Sequence, residues 1–214
     1  MNPDGLALDT LKESFNIAVG QAANALGILV DEEVLFSVPD VQLYPRGELL
    51  LTLPARLGSD PQVIIQELSG LVDGDAIDSF SLLLVGSGAL ESLRRIFSGG
   101  AYGDTGGLAE EEMLVEVGNV LLNACMGSIA NLLGTEFLCG IPRIGAGPLA
   151  ETLQSLFATT SGGHPAPRDR LLLLTIRMSA VQSCVTVELM LLLDLLQLPD
   201  MKKTVAGLLE RAMR

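Results

Sequence analysis

The sequence contains one pattern of acidic, amide and proline residues twice, and this repeat constrains the fold more than any other feature. The pattern is acid-x3-Glu-x2-Asn-x22-Pro, with the second copy 103 residues after the first. The matching residues are Asp9, Glu13, Asn16 and Pro39 in the first copy and Glu112, Glu116, Asn119 and Pro142 in the second. Each residue type has a frequency of roughly one in twenty, so two four-residue matches in one register are far too rare for chance. The repeat predicts an internal duplication.

Both copies are predicted to lie on amphipathic helices, because apolar residues recur around each motif at intervals of three and four. These residues are Leu11, Phe15, Ala18, Ala22 and Leu26 in the first copy and Leu114, Gly118, Leu121, Cys125 and Ile129 in the second. At about 100° per residue, the acid, glutamate and asparagine of each copy project from the opposite side of the helix. The motif is therefore expected to point outward.

The glutamate and asparagine of each copy are neighbours on the helix surface, since residues three positions apart lie side by side. Each helix thus presents a carboxylate and a carboxamide to whatever docks there. Solvent-facing residues without a task diverge between copies of a duplication, so their repetition favours a function. The two prolines of the motif are more typical of packing that a duplicated fold preserves.

The remainder of each half is predicted to form strands followed by a short helix. The predicted strands are 33–38, 48–53, 62–68, 79–85, 136–141, 171–178 and 181–192, and the short helices are 89–97 and 201–213. The glycine-rich segment 99–107 is predicted to join the halves, and 161–168 to be an exposed loop. We expect an α+β fold in which two long motif-bearing helices pack on a β-sheet with pseudo-two-fold symmetry. Residues 1–214 would form one domain, made of repeats of about 1–103 and 104–214.

Composition excludes several classes of function. The formal net charge of -13 opposes binding to a phosphate backbone, so nucleic acid is not an expected partner. The most apolar stretch, 189–198, is far shorter than the roughly 20 residues that cross a bilayer, and the N-terminus does not resemble a signal peptide. We therefore expect a cytoplasmic protein without membrane insertion.

The few cysteines and histidines do not suggest a metal or nucleophile site. Cys125, Cys139 and Cys184 lie in apolar segments and are predicted to be core residues. The single histidine, His164, lies in a predicted loop. With no second histidine and no clustered cysteines, the sequence predicts neither a zinc site nor a Ser/His or Cys/His pair.

The two motifs resemble the signature of the CheC, CheX and FliY phosphatases of bacterial chemotaxis, which is an acid or Ser followed by x3-Glu-x2-Asn-x22-Pro. The flanking segments 11–26 and 115–134 are similar to the motif helices of that family, and the likeness extends over essentially the whole chain. Two motifs in a chain of this length are most similar to CheC. The chain departs from the pattern at Glu112, where Asp or Ser is usual, and at Asn123, where the first copy has Gly20.

This resemblance implies an activity and a partner. The implied substrate is the aspartyl phosphate of a CheY-like response regulator, whose own acidic pocket holds Mg²⁺, so this chain would need no cofactor. Asn16 and Asn119 would orient the attacking water, and Glu13 and Glu116 would pair with the active-site lysine of the regulator. The acids at the start of each motif would support the pair. The deamidase CheD is a further implied partner.

Two alternatives stay open from the sequence. One is a binding module that docks on receiver domains, on CheD or on a flagellar or receptor complex without hydrolysis. The other is a metal-dependent hydrolase using the four carboxylates Asp9, Glu13, Glu112 and Glu116, although outward faces without enclosing ligands are poor magnesium sites. A duplicated chain can form a pseudo-two-fold arrangement by itself, so a monomer is expected.

Overall fold

The computed structural model describes residues 3–58, 61–72, 75–97, 110–133, 136–160, 170–182 and 184–193. Within these residues the chain forms five α-helices and eight β-strands. In chain order they are α1 (Pro3–Val30), β1 (Val34–Phe36), β2 (Asp40–Pro45), α2 (Arg46–Leu57), β3 (Gln62–Val72), β4 (Asp75–Val85), α3 (Ser87–Phe97), α4 (Glu110–Leu133), β5 (Phe137–Cys139), β6 (Arg143–Ile144), α5 (Leu149–Thr160), β7 (Arg170–Ala180) and β8 (Val185–Leu193).

All eight strands belong to one antiparallel sheet in which the two halves of the chain are interleaved. Its order is β1-β7-β8-β4-β3-β5, with β2 also paired to β7 and β6 also paired to β3. The hairpins β3-β4 and β7-β8 meet at the centre through the β4-β8 pairing. Each edge is then completed by short strands from the other half, so neither half forms its part of the sheet alone.

Helices cover both faces of this sheet. Side chains alternate between the faces along each strand: Ile64 packs in the same buried cluster as α1, α3 and α4, and Val63 packs with α2 and α5. The helix α1 packs along α4, and the Ser128 hydroxyl of α4 donates a 2.9 Å hydrogen bond to the Ser14 carbonyl of α1. The predicted α+β fold with two long motif helices on a sheet is confirmed.

The bounds of several elements repeat with the spacing of the sequence motif. Val34–Phe36 and Phe137–Cys139 form β1 and β5, which lie 103 residues apart. Arg46–Leu57 and Leu149–Thr160 form α2 and α5, which are each 12 residues long and also 103 residues apart. These matches support the internal duplication, which stays a prediction together with the domain and repeat limits.

Most predicted elements are observed, and one is wrong. The strands predicted at 62–68, 79–85 and 171–178 lie within β3, β4 and β7, and the helix predicted at 89–97 lies within α3. The segment 48–53, predicted as a strand, belongs to helix α2. Its leucines Leu49, Leu53 and Leu57 are all buried at intervals of four, which is helical periodicity, and a short apolar run fits either period.

The remaining differences concern element ends and short elements. The strand predicted at 181–192 begins only at Val185, after a turn in which Cys184 has a positive φ of 53°. The strands β2 and β6 and the helix α5 were not predicted. The predicted joint 99–107, the loop 161–168 with His164 and the helix 201–213 lie outside the described residues.

Helix α4 is long and apolar enough, by length and composition, to match a membrane span over Glu110–Asn131. Half of that window is buried inside the protein, against α1 and the sheet. Its apolar residues thus contribute to the core formed with these elements. Cytoplasmic localisation stays a prediction.

Candidate functional site

The two motif helices bury one side in the core and leave the motif residues on the other side. In α1 the buried residues include Phe15, Ala18, Val19, Ala22 and Leu26. In α4 they include Leu114, Val117, Leu121, Leu122 and Cys125. The glutamate and asparagine of both motifs keep access to solvent, as the helical periodicity predicts. We call Glu13 and Asn16 the first pair, and Glu116 and Asn119 the second pair.

The first pair has few neighbours. Glu13 is exposed and Asn16 is half-buried. One turn beyond Asn16, a Cβ atom added at Gly20 would have no heavy atom within 4 Å beyond its own helix and chain neighbours. Among the described residues, no hydrogen bond or ion pair involves the side chain of Glu13 or Asn16. Within the described part of the chain, the amide of Asn16 thus has no hydrogen bond that would fix its orientation.

The second pair is more enclosed, and its asparagine is held by a neighbour. Glu116 and Asn119 are both half-buried. One turn beyond, the Nδ2 group of Asn123 donates a 2.7 Å hydrogen bond to Oδ1 of Asn119. The amide nitrogen of Asn119 has no partner among the described residues and stays free to donate to a ligand.

Asn123 is connected to a buried polar residue of the sheet. The Nε2 group of Gln66 donates to Oδ1 of Asn123 at 2.8 Å and to the carbonyl of Gly140 at 3.1 Å. The Ser81 hydroxyl donates to Oε1 of Gln66 at 3.1 Å. Four side chains, Ser81, Gln66, Asn123 and Asn119, thus form a continuous chain from the sheet to the surface. The sequence did not identify Gln66 or Ser81, because strand alternation marks a position as buried without naming its partner.

The supporting motif residues differ in their position on the helices and in their burial. Glu112 is exposed in the first turn of α4, where an acidic side chain interacts favourably with the helix dipole. Asp9 lies further along α1, which begins at Pro3. Pro39 and Pro142 are buried directly before β2 and β6. The prolines therefore have a packing environment, in line with the structural reading of them.

Exposed apolar side chains lie beside the motif prolines in both halves. Leu35 and Val38 precede Pro39, and Leu138 and Ile141 hold the matching places 103 residues later. Ile141 is 89% exposed. Gly140, which lies between Leu138 and Ile141 in the chain, shares the hydrogen-bond partner Gln66 with Asn123.

The described cysteines and acids do not form a metal site. Among these residues, no three His, Cys, Asp or Glu side chains come together in a group that could hold a metal ion. Cys125 is buried, as predicted, and burial raises the pKa of its thiol to about 12. The prediction of core cysteines is wrong for Cys139 and Cys184, which are exposed. Cys139 ends the three-residue strand β5 and Cys184 lies in the turn before β8, and in such places a local apolar sequence does not ensure burial.

No protein-family model matches the sequence, but solved structures share its fold. FliY from Thermotoga maritima has a TM-score of 0.66 at 16% identity, covering 99% of this chain and 98% of that one. The FliM middle domain from H. pylori has a TM-score of 0.59 at 8% identity, covering 92% and 97%. FliM in a FliG-FliM complex from H. pylori has a TM-score of 0.53 at 7% identity, covering 92% and 98%. The chain therefore has the fold that the CheC, CheX and FliY resemblance implied, and the assignment to CheC within that group stays a prediction.

Proposed function

We propose that this protein hydrolyses the aspartyl phosphate of a CheY-like response regulator in the cytoplasm, using Glu13 with Asn16 and Glu116 with Asn119. The observation that carries the proposal is the repeated Glu/Asn pair, which is accessible on the outer side of two helices within a FliY-like fold. Hydrolysis of this acyl phosphate needs little covalent help. It needs a water molecule placed in line with the phosphorus atom.

The asparagine amide suits the task of placing that water. An amide carries both a hydrogen-bond donor and an acceptor, so it can accept from the water while donating to a phosphoryl oxygen. Asn119 still has both N–H groups and one oxygen lone pair, since only one of its acceptor sites is taken by Asn123. The Mg²⁺ that neutralises the phosphoryl group belongs to the regulator, which is the substrate here.

The glutamate has a docking role in this proposal. Its carboxylate, one helical turn before the asparagine, would pair with the active-site lysine of the regulator. Such a charge-assisted contact fixes the distance between the amide and the phosphorus atom. The exposed Leu35, Val38, Leu138 and Ile141 would add apolar contacts around each pair. CheD would be a second partner, and the monomer is the proposed state.

The first experiment measures the decay of a CheY-like receiver, phosphorylated with acetyl phosphate, in the presence of the protein. The variants are Asn16→Ala, Asn119→Ala and the double variant. We expect the wild type to accelerate decay and the double variant to lose most of that acceleration, because positioning of the water can lower a barrier by several kcal/mol. Asn24→Ala and Asn131→Ala are matched controls, since both are exposed asparagines of the same helices outside the motif.

The second candidate function is a binding module, which the FliM structures of the same fold favour. One of those structures is a complex of FliM with FliG. In that case the protein would bind a receiver or a flagellar partner and leave the phosphate intact. Tight binding of the phosphorylated receiver with an unchanged decay rate would establish this function and exclude the phosphatase.

A further inference from the structure

We propose that Gln66 and Asn123 are positioning residues that hold the amide of Asn119 in one orientation, so that the second pair is pre-organised and the first is not. The inference rests on the proposed function for its catalytic consequence. Its structural part, the fixed orientation of Asn119, stands on the hydrogen bonds alone.

The orientation originates at a buried residue. Gln66 is 0% exposed, and each of its polar atoms has a partner. Its Oε1 accepts from the hydroxyl of Ser81, which is itself fully buried, and its Nε2 group is the donor at the opposite end. That donor end contacts two oxygens, Oδ1 of Asn123 and the carbonyl of Gly140. A carbonyl can only accept, so reversing the amide would place Oε1 of Gln66 against the carbonyl oxygen of Gly140 with no proton between them, which is costly at a buried site.

The fixed end of Gln66 determines the two asparagines in turn. Because Oδ1 of Asn123 accepts from Gln66, the Nδ2 group of Asn123 faces Asn119. Asn119 must then accept with its oxygen, at 2.7 Å, and direct its own Nδ2 group away from Asn123. The orientation of the buried Gln66 amide thus determines the orientation of the Asn119 amide through two hydrogen bonds.

The first half lacks the three residues that support the asparagine. Strand pairing identifies the corresponding residues: β1 aligns Val34 with Ala180, and β5 aligns Phe137 with Gly70, so β7 lies 110 residues after β3. Backbone hydrogen bonds agree, since Ser37 donates to Arg177 and Gly140 donates to Glu67, both at 2.8 Å. The counterparts of Gln66 and Ser81 are therefore Ile176 and Leu189, which pair with each other as Gln66 pairs with Ser81.

These counterparts are apolar, and the connecting residue is missing. Ile176 and Leu189 are both buried in the core, and Gly20 stands where the second half has Asn123. No side chain is available at Gly20 to hold Asn16. Among the described residues no side chain orders the amide of Asn16, so we infer that it is ordered when the substrate binds, whereas Asn119 is ordered beforehand. Because the amide is proposed to place the water and the glutamate to provide docking, loss of this ordering is expected to lower turnover more than affinity.

The test uses enzymes with one working pair. Asn16→Ala leaves only the second pair, and Asn119→Ala leaves only the first. Adding Asn123→Ala to the Asn16→Ala enzyme is expected to lower kcat about five- to tenfold, the value of one or two hydrogen bonds, with little change in KM for the phosphorylated receiver. The loss should require Asn119. Asn123→Ala added to the Asn119→Ala enzyme is therefore the matched control, and it should leave kcat unchanged. Asn131→Ala controls for loss of an exposed asparagine from α4.

A conservative variant separates orientation from loss of contact. Asn123→Asp keeps the shape and can still accept from Gln66, but it offers no donor to Asn119. The amide of Asn119 is then expected to reverse, and kcat to fall as it does in Asn123→Ala. In the first half, Gly20→Asn places a side chain beside Asn16 but above the apolar Ile176 instead of a glutamine, so it is expected to leave kcat of the first pair unchanged.

A measurement independent of activity keeps the inference testable. The side-chain amide signal of Asn119 in ¹H–¹⁵N NMR spectra should shift and exchange faster with water in Asn123→Ala and in Gln66→Met. An unchanged signal in both variants overturns the inference, whatever the activity. A shifted signal with an unchanged kcat removes the positioning role. If the signal shifts in the variants but the wild type has no phosphatase activity, the proposed function is contradicted and the orientation of Asn119 still stands.

Discussion

The two halves of the protein share their framework and differ beneath their active-site candidates. Equivalent elements have the same bounds at a spacing of 103 residues, as α2 and α5 do. Under the first pair the sheet contributes Ile176 and Leu189, whereas under the second it contributes Gln66 and Ser81. The framework thus tolerates two buried apolar residues in one half and two buried polar ones in the other.

This tolerance has a physical explanation. A buried amide is acceptable only when its donors and acceptors are satisfied, and here Ser81, Asn123 and Gly140 satisfy Gln66 completely. These polar residues therefore depend on one another for hydrogen-bond partners. The difference teaches that a repeated surface motif does not imply equal sites, because the support for each site lies in strands that carry no motif.

A second difference between the halves concerns how α1 and α4 pack. Phe15 of α1 is fully buried in the core, and the matching place in α4 is Gly118. There the sheet residue Ile64 fills the space, since an added Cβ at Gly118 would lie 2.7 Å from Cγ2 of Ile64. A large helix residue in one half is thus replaced by a sheet residue in the other.

The largest expected effect is a loss of stability on substitution of Phe15 in the first half. Phe15→Ala removes a fully buried ring, and we expect the free energy of unfolding to fall by about 3–5 kcal/mol. Chemical denaturation followed by circular dichroism measures the change. Ile17→Ala, on the same helix but 57% exposed, is the control and should change stability by less than about 1 kcal/mol. Equal losses in the two variants would show that the two sides of α1 are not distinct.

Alanine substitutions at Gly20 of α1 and Gly118 of α4 are expected to change stability in opposite directions. In Gly118→Ala, the clash with Ile64, which is buried and stiff at χ1, is expected to lower the free energy of unfolding by about 1–3 kcal/mol. The higher helix propensity of alanine offsets up to about 1 kcal/mol of this loss. Gly20→Ala meets open space and should stabilise by up to about 1 kcal/mol. Melting temperatures of the two variants, measured side by side, test this. A higher melting temperature in both variants would mean that the core beside Ile64 can accept a methyl group without strain.

The motif residues were the part of the site that the sequence could predict. The spacing of Glu13 with Asn16 and of Glu116 with Asn119 places each pair on one helix face, and the structure leaves these residues accessible to solvent. Their catalytic roles stay predictions. The contacts of Asn123 could not be predicted, because Gln66 is distant in sequence and is brought to it only by the packing of α4 on β3.

The fold was predictable where periodicity was long and unambiguous. The helices α1 and α4 and the strands β3, β4 and β7 follow from apolar patterns of sufficient length. Helix α2 was mistaken for a strand because its leucines crowd into a few positions and Pro54 interrupts the helical pattern. The short strands β2 and β6 carry too few residues for a period to show, and they depend on pairing with the other half.

The smallest expected effect is on thiol chemistry, where burial distinguishes the three cysteines. Cys125, whose counterpart in the first half is the buried Ala22, is itself buried with its pKa raised to about 12. It should not react with iodoacetamide at pH 7–8 while the protein is folded, since the thiolate is the reactive form. Partial burial also raises the pKa of Cys139, so its labelling should accelerate as the pH rises above neutrality.

Mass spectrometry after timed labelling gives the rate for each site, and labelling in guanidinium chloride is the control in which all three thiols react. Alkylation of Cys125 in the folded protein at the rate of Cys139 would contradict the buried packing of α4. It would also weaken the comparison of the halves, because the chain from Gln66 to Asn119 depends on α4 lying firmly against the sheet. A protected Cys125 beside a reactive Cys139 would agree with the buried packing of α4 and with the exposed position of β5, where the apolar Leu138 is also exposed.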